Sequence, residues 1–187
     1  MRVISGIFKG KKILQPKDHM TRPLKDLTKE SIFNLIKHSK LINIKLENSS
    51  ILDLFSGVGS FGLECFSRGA SLVTFFENYE DVLSVLKKNI DSLKLQSYSK
   101  IIEKDIFKED TLKLLNDKFE IIFIDPPYKE KKISLILKSI IQSDILVKNG
   151  IIIIHRHKNE NNEFPQEFKV VDEKIYGISK IIFGNCS

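Results

Sequence analysis

The sequence predicts an α/β fold: a mostly parallel sheet with helices on both faces. Two observations predict it. From residue 51 onward, short apolar runs alternate with stretches of helical periodicity. Runs such as Ile51-Leu52-Asp53-Leu54-Phe55 and Ile151-Ile152-Ile153-Ile154 are nearly unbroken, which suits strands covered on both faces by helical crossovers. A third feature places a ligand on this frame. Gly57-Val58-Gly59-Ser60-Phe61-Gly62 follows the first run and opens a helix.

Taken in order, Val3, Ile4, Ile7 and Phe8 followed by Ile13 and Leu14 suggest a short hairpin around Lys9-Gly10-Lys11-Lys12. Leu27, Ile32, Phe33, Leu35 and Ile36 put apolar groups on one face of a helix beginning near Lys25. The polar stretch Glu47–Ser50 ends this extension. Strand 51–55, the glycine turn and a helix through Arg68 follow, then strand 72–76 and a helix ending near Leu95. Ile101-Ile102 is a weak third strand, and Leu112, Leu114 and Leu115 a short helix. Strand 121–124 precedes a helix over 131–146. Asn149-Gly150 is read as a break before strand 151–154. The last two strands, 168–171 and 178–183, have no helix between them and predict an antiparallel hairpin at the sheet edge.

Charge divides the chain. Among 187 residues the net charge is +6, but residues 1–45 carry +8 and residues 46–187 carry −2. The expected organisation is therefore a basic extension, 1–45, joined to a near-neutral domain, 46–187. A polyanion such as nucleic acid is the partner to expect. Arg2, Lys9, Lys11, Lys12 and Arg22 are the candidate phosphate contacts. Cys65 and Cys186 are the two cysteines, too few for a disulfide framework or a cysteine zinc site. No run reaches the roughly 18 apolar residues of a membrane span, and no signal-like apolar run follows Met1. A cytoplasmic protein without a membrane partner is expected.

The glycine turn reads as a nucleoside-cofactor site. Glycines allow unusual dihedrals and close approach of a ligand, and Glu77 ends the next strand where an acid can bind ribose hydroxyls. At this level NAD and S-adenosylmethionine both fit. Asp53 separates them, because an acid at this strand end repels a pyrophosphate but suits a cationic amino-acid moiety. Asp105 follows the third strand and can accept from an adenine amine, with Ile106 and Phe107 beside the ring.

Asp125-Pro126-Pro127-Tyr128 directly follows the fourth strand. Two prolines forbid sheet continuation and stiffen the loop. An exocyclic amine is a poor nucleophile because its lone pair is delocalised into the base. The Asp125 carboxylate and Pro126 carbonyl can accept both amine hydrogens and aim the lone pair at a methyl group. Tyr128 can stack on a base taken out of its helix.

Asp53 to Gly62 followed by Asp125-Pro126-Pro127-Tyr128 resembles the class I S-adenosylmethionine-dependent amino-methyltransferases. More closely, the chain resembles the RsmD family of 16S ribosomal RNA (guanine-N2)-methyltransferases. Its opening Arg2-Val3-Ile4-Ser5-Gly6 with Gly10 matches, as do Thr21-Arg22-Pro23, Phe33-Asn34-Leu35-Ile36, Ser67-Arg68-Gly69-Ala70 and Tyr176-Gly177. The resemblance implies a Rossmann-like seven-stranded sheet of order 3-2-1-4-5-7-6 with one antiparallel strand. It implies S-adenosylmethionine as donor, with Asp53, Gly57 and Gly59 toward its methionine end, Glu77 on the ribose, Asp105 and Ile106 on the adenine, and Phe55 among the cofactor-binding residues. Arg22 would sit near the cofactor and target. The implied substrate is 16S RNA in an assembled or partly assembled small subunit, met by a monomer.

Two residues depart from the family pattern. Lys29 stands where an arginine is usual, which keeps charge but loses a bidentate fork. His155 stands where many relatives carry an acid. With His157 it is read as a polar strand-end pair, and no metal is expected. The alternatives are an amino-methyltransferase acting on adenine N6 or cytosine N4 of another RNA or DNA, an NAD-dependent oxidoreductase, and a non-catalytic RNA-binding module of the same fold, against which the complete motif set argues. The oxidoreductase leaves Asp53 and the Asp-Pro-Pro-Tyr loop without a role.

Overall fold

The alternating apolar runs pair into one seven-stranded sheet in the computed structural model, which describes residues 1–16, 24–108, 111–127, 130–161 and 163–186. The strands are β1 (Ser50–Leu54), β2 (Leu72–Phe76), β3 (Ser99–Ile102), β4 (Phe119–Ile124), β5 (Leu146–His157), β6 (Phe168–Tyr176) and β7 (Ser179–Cys186). Their order is β3-β2-β1-β4-β5-β7-β6. Strands β1 to β5 are mutually parallel, and β7 runs antiparallel to both its neighbours. The family-implied order and the single antiparallel strand are both present.

Alternation along each strand explains why the runs are continuous. Ile51, Ile121, Phe123, Ile151 and Ile153 join one core with helices α1 (Asp26–His38), α2 (Ser60–Ser67) and α3 (Glu80–Ser92). Leu52, Leu54, Ile122, Ile124, Ile152 and Ile154 join a second core on the opposite face with α4 (Ile133–Gln142). The runs of β1, β4 and β5 are apolar on both sides because each side meets helices, whereas the edge strand β6 is largely exposed. Phe33 of α1 stacks on Phe61 of α2, which stacks on Phe123 of β4, with centroids 5.2 and 4.0 Å apart.

Residues 1–13 form the expected hairpin. Arg2 bridges Lys12, and the Val3 N–H donates to the Lys11 carbonyl at 2.9 Å. Val3 and Ile13 are fully buried in the core shared with α1, α2 and α3.

The structure departs from expectation in several elements: Leu27 of α1 is exposed rather than on a buried face, and β6 runs on to Tyr176. The fourth helix is shorter than 131–146, because β5 already begins at Leu146. Asn149-Gly150 also does not end an element. It lies inside β5, where pairing with β4 jumps from Phe119↔Leu146 to Ile121↔Ile151. Asn149 takes φ 64°, so the extra residues are absorbed as a bulge within one strand.

Candidate active site

The parallel strands β1 to β5 end at one edge of the sheet, where open α/β sheets bind ligands. A cleft of about 680 Å³ lies there. It is lined by Asp53, Phe55, Gly57, Glu77, Asp105, Ile106, Asp125, Pro126 and Pro127. Residues spread over 75 positions of sequence thus meet because each follows a strand of one sheet. Gly59 is not among the lining residues. It is buried beneath the turn at φ 83°, as the N-cap of α2, where a Cβ would come 2.6 Å from Leu86. Arg2, Lys9, Lys11 and Lys12 are exposed on the hairpin and are not among the lining residues. Arg22 and Tyr128 lie outside the described residues.

The glycine turn is held by carboxylates. Asp53, almost fully buried, accepts the Gly62 N–H at 3.0 Å. Burial pushes its carboxyl well above the usual range; the Gly62 hydrogen bond opposes this and the nearby Asp125 and Glu77 charges add to it. Glu77 accepts the Gly57 N–H at 2.8 Å and the N–H groups of Asn78 and Tyr79 at 2.9 and 3.0 Å. Phe55 sits at φ 60°, unusual for a residue with a side chain, and its ring tilts against Phe107. Asp105 accepts the Phe107 N–H at 2.9 Å, which closes the turn after β3.

This arrangement discriminates between cofactors. A dinucleotide pyrophosphate needs free amides at the glycine turn. Here the Gly57 amide is committed to Glu77, and Asp53, Glu77 and Asp125 make the cleft wall acidic. The donor set fits a nucleoside joined to a cationic group, as in S-adenosylmethionine. Among the described residues, no group of three or more His, Cys, Asp or Glu could hold a metal ion.

At the end of β4 the chain turns over the sheet edge, and two consecutive β5 residues hold it on opposite faces. His155 Nδ1 lies 2.8 Å from Asp125 Oδ1. Arg156, 1% exposed, donates to the Glu130 carbonyl at 2.6 Å and to the Pro127 carbonyl at 3.4 Å. Glu130 in turn donates its N–H to the Pro127 carbonyl. The motif reading missed these two residues as site components. Their signal was position alone, at the end of the strand beside β4.

A second set of polar groups joins the basic hairpin to the helices beneath the cleft. Glu64 of α2 accepts the N–H groups of Ile4 and Ser5 at 2.7 and 3.0 Å and pairs with Arg68. Lys29 donates to the Arg2 carbonyl and the Ser60 hydroxyl. Asn89 of α3 accepts from the Leu14 N–H and donates to the Leu14 and Val58 carbonyls, tying hairpin and glycine turn to one side chain.

Comparison with known proteins gives the family and the fold. Residues 1–185 match the family described as conserved hypothetical protein 95. A ribosomal RNA small subunit methyltransferase D of Buchnera aphidicola is 31% identical over 92% of this chain and 86% of its own. That of Haemophilus influenzae is 28% identical, covering 95% of this chain and 90% of its own. A solved Haemophilus influenzae structure, provisionally named a methylase, superposes with TM-score 0.78 at 29% identity, covering 100% and 99% of the two chains.

Proposed function

The chain belongs to the conserved hypothetical protein 95 family, that of the ribosomal RNA small subunit methyltransferases D, and from that premise we propose that it methylates the exocyclic N2 amine of a guanine in 16S ribosomal RNA, with S-adenosylmethionine as donor. The observation that carries this reading is the placement of Asp125, Pro126 and Pro127 in the same cleft as Asp53, Glu77 and Asp105. Donor-side and target-side groups share one space.

When bound, S-adenosylmethionine supplies a methyl carbon made electrophilic by its sulfonium. Asp53 faces its cationic methionine end, Glu77 its ribose, and Asp105 with Ile106 its adenine. Asp125 and the Pro126 carbonyl accept the two hydrogens of the target amine and hold its lone pair toward the methyl group. The donor would supply its methyl carbon to that lone pair and would keep the carbon–sulfur electrons on its sulfur. One proton then leaves the nitrogen by way of Asp125. Positioning and a fixed negative charge do most of the work.

The extension 1–45 serves as the RNA-binding portion. Arg2, Lys9, Lys11 and Lys12 are exposed, and none takes part in an ion pair among the described residues. An assembled or partly assembled small subunit is the proposed substrate form.

The test is one assay with labelled methyl donor and three acceptors: naked 16S RNA, small subunits and DNA, followed by nucleoside mass analysis. N2-methylguanosine from the RNA acceptors is the expected product, lost in Asp125→Ala while donor binding persists. Label on adenine N6 or cytosine N4, or near-normal turnover by Asp125→Ala, overturns the proposal.

A further inference from the structure

Two prolines stiffen the backbone after β4, but they leave the side-chain torsions of Asp125 unrestrained. Its carboxylate is 21% exposed, open enough to turn. The described contact that restrains it comes from His155, whose side chain is 7% exposed and which also lines the cleft. The ring sits between two elements. Nδ1 faces Asp125 Oδ1 at 2.8 Å, and Nε2 faces the Ser179 hydroxyl of β7 at 3.0 Å. Ser179 in turn lies 3.5 Å from the Thr28 hydroxyl of α1.

Hydrogen-bond logic orients this chain. Nδ1 faces a carboxylate, so it carries a hydrogen and donates. In the neutral ring Nε2 then accepts from the Ser179 O–H, and Ser179 accepts from the Thr28 O–H. Each donor in the row finds an acceptor, and the row ends on the carboxylate. Thr28, Ser179 and His155 are all buried, so each hydroxyl and ring nitrogen of the row depends on its protein partner.

We infer that His155 is a positioning residue for methyl transfer: it commits Asp125 Oδ1 to the imidazole and thereby presents Oδ2 to the target amine. This rests on the reading of Asp125 as the carboxylate that accepts the amine hydrogen. The consequence is a division of labour at the end of β5. Arg156 holds the path of the loop backbone, and His155 holds the angle of its one charged side chain.

Two variants of His155 separate positioning from mere burial. An asparagine amide reaches about as far from the backbone as Nδ1 and can still donate to Asp125. A glutamine amide reaches about as far as Nε2 and keeps only the Ser179 side. Both are polar and uncharged, and each keeps one of the two contacts. His155→Asn is expected to keep kcat within about fivefold of the parent, and His155→Gln to lower it about 20-fold or more, with KM for the donor within about twofold in both. Equal turnover of the two variants, whether high or low, overturns the inference alone. Retained turnover in Asp125→Ala overturns the functional reading and takes the inference with it.

Discussion

The Lys29 ammonium lies 3.6 Å from the Glu64 carboxylate, and neither side chain has exposed surface. Lys29 is further satisfied by the Arg2 carbonyl at 3.1 Å and the Ser60 hydroxyl at 3.2 Å. Three separate acceptors suit an ammonium, which needs no planar fork. Burial pushes the Lys29 ammonium below the ordinary lysine value, and Glu64 offsets part of that.

Removing Glu64 leaves a buried cation and two backbone N–H groups without their acceptor. Glu64→Ala is expected to cost about 3–5 kcal/mol of stability. Lys29→Met should cost clearly less, because Glu64 keeps Ile4, Ser5 and Arg68. Urea unfolding of both variants checks this. Equal losses would show that the pair, not the hairpin amides, is what Glu64 chiefly serves.

Asp53 sets a pH-dependent cost. Its folded pKa lies well above the ordinary 3.8, mainly through burial. Between those values the folded state binds more protons than the unfolded state. The contribution to stability is therefore full in acid and lost as pH rises through the folded value. Asp53→Asn keeps an acceptor for the Gly62 N–H but removes the charge. It should raise Tm near pH 7.5, with the gain shrinking toward about pH 4, while weakening donor binding measured by calorimetry. A Tm difference that does not change with pH would refute the ionisation argument.

Gly6 and Gly10 share a left-handed backbone, at φ 82° and 83°, but not an environment. A Cβ on Gly6 would lie 1.7 Å from the Ser67 carbonyl oxygen, the acceptor of the Ile7 N–H. A Cβ on Gly10 meets nothing within 4 Å. Gly10→Ala should cost only the left-handed strain, about 1–2 kcal/mol. Gly6→Ala should lose more stability and lift the hairpin from α2. Denaturation midpoints decide between them, and equal losses would show that packing against Ser67 contributes little.

Arg156 holds the loop backbone through the Pro127 and Glu130 carbonyls. Arg156→Met fills the same space without those donors. Turnover is expected to fall roughly 10- to 100-fold, since small misplacements of reacting groups are costly. Donor affinity, set on the other side of the cleft, should hold. Normal kcat in a folded variant would remove the loop clamp from the account.

Replacing Lys9, Lys11 and Lys12 with glutamine should weaken RNA binding and flatten its dependence on salt. Three lost phosphate contacts correspond to about two to three units of log–log slope. An unaltered slope in filter binding would place the phosphate contacts elsewhere.

Much of this protein is local in the sequence. Unbroken apolar runs such as Ile121-Ile122-Phe123-Ile124 announce strands covered on both sides, and the glycine turn and Asp-Pro-Pro sequence sit where those strands end. Backbone dihedral preference, side-chain periodicity and proline chemistry act over a few residues, so they are readable in order along the chain. Asn149-Gly150 permits either a break between elements or a bulge inside β5. Only the neighbouring strand, pairing on both sides of the extra residues, keeps the chain extended.

The partners of polar groups belong to the tertiary structure alone. The sequence by itself determined the strands, the sheet class, the glycine turn and which residue types stand at each strand end. Folding decided that Glu77 takes the Gly57 amide, that Glu64 receives the hairpin, and that His155, 30 positions from Asp125, lies 2.8 Å from it. The reason is physical. A hydrogen bond depends on distance and angle in space, and parallel strands separated by a helical crossover bring residues together that no local pattern links.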